Sequence, residues 1–306
     1  MTSAPIVIIT GACGFIGRHV ARVFADEGAR VIGIGHGSWS AEEWARWGLA
    51  RWHAADVSGE ALRKLGEIPS IIVHCAGGSS VSASIEFEAA DEKRTVGSTK
   101  GVLDFVVTEA PKARVVLLSS AAVYGEVARL PIREDTDLAP ISPYGKHKRM
   151  MECLGELYCA KYGLSAAILR FFSLYGPELR KQLFWDACRK LEAGSCVFQG
   201  TGEERRDWLH ISDAARLIQV AAHHDARGCV IINGGSGHAV SVRSAVDLIA
   251  RLLKAPAPQF RGERRKGDPV GYEADIGRAR SLGWAPRRAL AEGIAEYVAW
   301  YRGAKA

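Results

Sequence analysis

No stretch of this 306-residue chain approaches the roughly eighteen consecutive apolar residues that a membrane-spanning helix requires. The opening Met1-Thr2-Ser3-Ala4-Pro5 leads straight into an apolar strand, without the charged flank and cleavage site of a secretory leader, so a cytoplasmic protein is expected. Metal and redox spacing is also missing. The seven cysteines (Cys13, Cys75, Cys153, Cys159, Cys188, Cys196, Cys229) are odd in number and scattered, with no pair at the two-residue gap of a zinc knuckle or a redox motif. Free thiols in a reducing compartment are the expected state. The nine histidines do not converge either: His223 and His224 are adjacent and face different sides of a helix. No metal is expected. The net charge of +6 is mild, and its densest cluster is only Arg261, Arg264, Arg265 and Lys266. That suits a small phosphorylated ligand, and neither nucleic acid nor membrane is expected as a partner.

What remains is an ordinary globular composition, 48% apolar and 24% charged, with no internal repeat. Short apolar runs at Ile6–Thr10, 31–34, 71–75, 115–119 and 166–171 alternate with amphipathic stretches at 16–27, 93–108 and 144–162. Continuous rather than alternating hydrophobicity marks strands covered on both faces, so the expected fold is α/β: a parallel sheet with helices on both faces. After Phe172 the alternation weakens, with a short strand at 230–233 and helices at 183–193, 212–223, Val242–Leu253 and 289–302. The expected division is a first region at 1–172 and a smaller one at 173–306, packed against the sheet and sharing its core.

Directly after the first strand comes Gly11-Ala12-Cys13-Gly14-Phe15-Ile16-Gly17, opening a helix. Glycines there let the backbone turn sharply and approach a pyrophosphate, and the amides of Phe15 and Ile16 would face the anion. NAD-selective sites usually place an acid at the end of the second strand, where this chain reads Gly33-Ile34-Gly35-His36-Gly37-Ser38. A 2′-phosphate meets no repulsion there, and His36, Ser38 and Arg18 are candidates to receive it, with Gly35 also in the cofactor site. NADP(H) is therefore expected ahead of NAD(H). Asp56 and Val57, after a third strand, suit the adenine, and Ala76 and Gly77 follow the strand at 71–75.

In mid-chain, Ser119-Ser120 ends a strand, and Tyr144-Gly145-Lys146-His147-Lys148 starts a helix. Tyr144 and Lys148 are four residues apart and share a helical face. A phenol titrates near 10, and a neighbouring ammonium together with a positively charged nicotinamide would lower it into a useful range. Tyr144, Lys148 and Ser120 are the expected catalytic set, with Ser120 steadying the substrate oxygen in preference to Ser119, and Tyr144 and Lys148 also touching the cofactor.

These residues together resemble the extended short-chain dehydrogenase/reductase family, in particular its nucleotide-sugar epimerases, dehydratases and reductases. The resemblance runs over nearly the whole chain through GACGFIG, SSAAVYG, SPYGKHK, LRFFSLYGP, RRDWLHISDAA and RRKGDPVGYEADIGRARSLGW. It implies a doubly wound parallel sheet of Rossmann type, with a dinucleotide-binding domain at 1–172 and a smaller, mainly substrate-binding region at 173–306, some of whose segments return to the first core. It also implies a homodimer joined through the helices around 93–108 and 144–162, and substrate contacts from Arg206, Arg265 and Asp268. Two positions depart from the family pattern: Thr95 and Ser173 stand where an asparagine is usual, the second being a diphosphate contact. Ala121 and Ala122 replace the Asp-Glu of dehydratases, which removes the pair needed to eliminate water. The expected activity is NADPH-dependent reduction of a 4-keto nucleotide sugar, then NAD-dependent 4-epimerisation. A non-catalytic nucleotide- or RNA-binding redox sensor is the alternative of another class.

Overall fold

The computed structural model describes residues 4–225, 227–262 and 271–304. Seven parallel strands form the main sheet: β1 (Ile6–Thr10), β2 (Arg30–Gly35), β3 (Leu49–Ala54), β4 (Ile71–His74), β5 (Arg114–Ser120), β6 (Ser165–Phe171) and, much later in the chain, β10 (Gly228–Gly234). Their order is β10-β6-β5-β4-β1-β2-β3. The chain steps outward one way from β1 and the other way from β4, so the topology reverses between these two strands. The crevice beyond their carboxyl ends is where a doubly wound sheet binds its ligand.

The apolar runs become strands because both faces are covered. Ile9, Val73, Val116, Leu169 and Phe24 belong to one buried layer, and Ile8, Ile72, Val115, Ile168 and Phe105 to the other. β3 shows no apolar run because it is an edge strand with the mixed sequence LARWHA, largely half-exposed. β10 falls in the second half of the sequence but pairs along its whole length with β6. The helix Ile211–His223 likewise buries Ala214, Leu217 and Ile218 in the first layer.

A second set of elements closes one side of the crevice. β7 (Ser173–Tyr175), β9 (Arg205–His210) and β11 (Ala239–Ser241) form a three-stranded sheet. β8 (Val197–Phe198) and β12 (Gln259–Phe260) form a two-stranded one. A separate apolar cluster built on Phe184, Ile249, Tyr297 and Tyr301 holds the helices Gln182–Glu192, Val242–Leu253 and Leu290–Gly303 against them. No helix among the described residues is long and apolar enough to cross a membrane.

The stretch at 93–108 is not one regular helix. Lys93–Gly97 forms a π-helical turn before the α-helix Ser98–Glu109 begins. Widened turns of this kind occur often at functional sites, and here the turn carries Thr95.

Candidate active site

The glycine turn joins β1 to the first helix, Phe15–Asp26. Gly11 has φ of 65°, which disfavours a side chain, and a Cβ there would lie 2.9 Å from the amide nitrogen of Ala76. A Cβ on Gly17 would overlap the Gly11 carbonyl, so its glycine serves packing. The helix has no side-chain N-cap, which leaves the amides of Phe15 and Ile16 to an anion. This cradle fits the pyrophosphate of a dinucleotide.

Beneath it runs a buried relay. Thr10 Oγ1 accepts the Ala76 amide at 3.2 Å and pairs with His74 Nδ1 at 2.7 Å, while His74 Nε2 reaches Thr99 Oγ1 at 3.1 Å. Burial holds the His74 imidazole down at about 3. The unfolded chain binds a proton at this ring near pH 6.5, whereas the folded chain refuses it until about pH 3. Stability therefore falls as pH drops below 6.5, by about 2 kcal/mol from this group at pH 5. A denaturation midpoint that stays flat between pH 7 and pH 5 would contradict that.

Around the crevice, Gly35 ends β2 and His36 and Ser38 follow it, Asp56 and Val57 follow β3, and Ala76 and Gly77 follow β4. His36, Ser38 and Asp56 are exposed. Arg18, by contrast, is committed elsewhere. Its guanidinium lies 5.6 and 5.5 Å from the ring centres of Trp39 and Trp47, bonds Glu178 at 2.9 Å and donates to the Cys13 carbonyl at 2.7 Å. Its expected contact with a 2′-phosphate is corrected accordingly.

At the carboxyl end of β5, Ser119 and Ser120 separate cleanly. Ser119 is buried and donates to Glu152 Oε1 at 2.6 Å. Ser120 accepts the Ala122 amide at 3.2 Å and hydrogen-bonds the hydroxyl of Tyr144. Tyr144 opens the helix Pro143–Tyr162, which Ser142 caps by accepting the Gly145 amide at 3.1 Å. One turn on, the Lys148 ammonium lies 5.8 Å from the Tyr144 ring centre and donates to the Leu118 carbonyl at 2.8 Å.

The electrostatics differ from expectation. Burial raises the Tyr144 phenol, the Ser120 hydrogen bond opposes it, and the Asp91 charge adds to the rise. The folded chain by itself thus keeps Tyr144 a neutral proton donor rather than a phenolate. Burial also lowers Lys148 to about 8, against the opposing charges of Asp91, Cys75 and Glu152. The lysine cannot be treated as a fixed positive charge.

On the other wall, Ser173 of β7 pairs in register with Trp208 of β9, two residues beyond Arg206. Arg206 acts on the Tyr272 phenol, whose hydroxyl donates to the Gly125 carbonyl at 2.5 Å. Phe172 meets Tyr272 edge to face. Ser173 and Arg206 therefore share one small sheet. Arg265 and Asp268 lie outside the described residues.

Three features of the site escape a reading of the sequence. Thr95 Oγ1 accepts the Gly78 amide at 2.8 Å, so this departure from the family pattern supports the β4 loop. Asp91 bonds His147, and Glu152 pairs with Arg170. Thr95, as a departure from the family pattern, and His147, inside the Tyr-to-Lys turn itself, are the visible signals.

A glycine cradle at the switch point and a Tyr–Lys pair beside a strand-end serine define a nicotinamide-dinucleotide enzyme of the short-chain dehydrogenase class. The chain belongs to the NAD dependent epimerase/dehydratase family, whose model matches residues 7–234. It is 29% identical to a UDP-glucose 4-epimerase of Azospirillum brasilense, over 98% of this chain and 93% of that protein. It is 28% identical to a UDP-glucuronate 4-epimerase of Thermodesulfobacterium geofontis, over 96% and 95%. Among solved structures, a UDP-glucose 4-epimerase from Brucella ovis in complex with NAD superposes with a TM-score of 0.87 at 29% identity, covering 98% of this chain and 99% of that one.

Proposed function

We propose that this protein is a UDP-sugar 4-epimerase that inverts C4 of a UDP-hexose or UDP-hexuronate with NAD⁺ as resident cofactor. The observation that carries the reading is the Ser120–Tyr144–Lys148 group at the carboxyl edge of the sheet, in a chain whose relatives above are named 4-epimerases. This reverses the order drawn from the sequence, where ketone reduction with NADPH came first. Bound nicotinamide would supply a reversible hydride acceptor at the sugar carbon. Tyr144 takes the proton of the C4 hydroxyl and returns it after the sugar has presented its other face, while Ser120 holds that oxygen. Because the chain alone leaves Tyr144 neutral, its basic form needs positive charge beyond that of the protein. Gly11, Gly14, Gly17 and the amides of Phe15 and Ile16 would hold the pyrophosphate, and Arg206 and Ser173 the diphosphate of the substrate.

The purified protein, given NAD⁺ and either UDP-glucose or UDP-glucuronate, is expected to form the C4 epimer, visible by proton NMR of the sugar ring. Net consumption of NADPH with a 4-keto nucleotide sugar, and no epimer from either substrate, would restore the reductase reading.

The cofactor pocket carries a second expectation. With His36 and Ser38 in place of an acid after β2, nothing repels a 2′-phosphate, so NADP⁺ should bind within about tenfold of NAD⁺. A preference for NAD⁺ well above a hundredfold in calorimetric titration would show that another group reads the ribose.

We also propose a homodimer. Met150, Cys153 and Leu157 lie exposed along one face of the long helix, an apolar stripe at helical spacing. Leu157→Asp should shift sedimentation from dimer to monomer; a wild-type chain that sediments as a monomer at micromolar concentration would end this idea.

A further inference from the structure

Asp91 and His147 are 56 positions apart in sequence, yet their side chains meet at 2.6 Å, Nδ1 to Oδ2, and are only 6% and 5% exposed. An ion-forming pair this deep carries a desolvation cost that needs an explanation. Its location suggests one. His147 is the residue immediately before Lys148, on the same helix. Asp91 lies near the end of its short helix, Glu88–Glu92, against the β4 loop, where a Cβ on Gly78 would overlap Asp91 Oδ1. At the adjacent Gly77, a Cβ would lie 3.4 Å from Lys148 Nζ. The pair and the lysine therefore press on two successive residues of one loop.

We propose that Asp91 and His147 form a positioning dyad for the Tyr144–Lys148 pair: the Asp91 carboxylate, fixed by the His147 N–H, is the counter-charge that keeps Lys148 cationic during turnover. The inference rests on the reading of Tyr144 and Lys148 as the proton-transfer pair.

The charges facing Lys148 support the assignment. Asp91 is the foremost of the groups that raise it, ahead of Cys75 and of Glu152, whose oxygens are already bonded to Arg170, Arg149 and Ser119. His74 and the Tyr144 ring also face it, and the Leu118 carbonyl takes one ammonium proton. Glu152 is thus largely spent on other cations. The side-chain partner of Asp91 among the described residues is an imidazole, so more of its charge acts on the lysine. The charge also acts on Tyr144, favouring its protonated form. One carboxylate thereby reaches both partners: it supports the lysine cation and opposes the phenolate, which the positive nicotinamide must then favour.

The test reads the lysine directly. In protein supplied with NAD⁺, the Cε resonance of Lys148, assigned by its loss in Lys148→Arg, is titrated in the wild type and in Asp91→Asn, His147→Ala and His147→Asn. Asp91→Asn should lower the Lys148 midpoint by roughly one to two pH units, and the alkaline limb of turnover should move with it. His147→Ala should move it part of the way. His147→Asn, which keeps an N–H donor near the place of Nδ1, should restore it. A folded Asp91→Asn protein with an unchanged Lys148 midpoint overturns the proposal and leaves the pair a packing feature. Should Asp91→Asn fail to fold, the same readout on the two His147 variants decides: equal midpoints in both and in the wild type reject the dyad. A wild type that epimerises no nucleotide sugar, but whose Lys148 titration moves as described, would remove the proposed function and leave the dyad intact.

Discussion

Tyr144→Phe is expected to lower turnover by about 10²–10⁴-fold while NAD⁺ binding is retained. The substitution removes one oxygen from a ring that the structure holds on three sides. The Tyr144 amide donates to Ser84 Oγ at 3.0 Å, its hydroxyl meets Ser120, and its ring faces the Lys148 ammonium. Phenylalanine keeps the ring and loses the group placed to exchange a proton with a substrate oxygen. The glycine turn lies at the end of a different strand, so the cofactor cradle should not change. Turnover within threefold of wild type, measured at saturating substrate, would show that another group moves the proton. A parallel loss of NAD⁺ affinity would instead mean that the phenol serves mainly to hold the cofactor.

The second large effect is on stability. Glu152→Ala should cost about 3–5 kcal/mol, seen as a lower urea midpoint. Glu152 is fully buried and accepts two near-parallel bonds from Arg170, each 2.9 Å, and one from Ser119 at 2.6 Å. Arg170 continues the network to the Tyr124 hydroxyl at 3.1 Å and to the Glu134 carbonyl at 3.0 Å, and Tyr124 donates to Asn233 at 2.7 Å. Deleting the carboxylate leaves a guanidinium buried with its main acceptor gone, which costs more than the pair itself contributes. The network ties β5, β6, β10 and the long helix directly behind Ser120 and Lys148. Glu152→Gln keeps the shape and part of the bonding, and should lose less. A loss below about 1 kcal/mol in Glu152→Ala would mean that water or a neighbouring acid takes over the role.

Several features are legible in the sequence because they are local. The apolar runs mark β1, β4, β5 and β6, since a strand buried on both faces must be apolar throughout. The glycine turn is legible because sharp backbone turns restrict residue type. β3 is harder: its edge position tolerates Arg51, Trp52 and His53, so no uninterrupted run announces it. β10 is visible as a short strand, but not as the seventh member of the main sheet, because pairing with β6 is a contact between distant segments. Arg18 looks available for a phosphate and is instead held between two indoles and Glu178, an arrangement assembled from three parts of the chain.

The sequence by itself determined the dinucleotide cradle and the placing of Tyr144 and Lys148 on one helical face, since both follow from spacing along a regular backbone. Only the tertiary structure decided the charge states on which that pair depends. Burial lowers Lys148 to about 8 and raises Tyr144, and Asp91 reaches both from a separate helix. Desolvation and Coulomb forces depend on distance through the folded interior, not on separation along the chain.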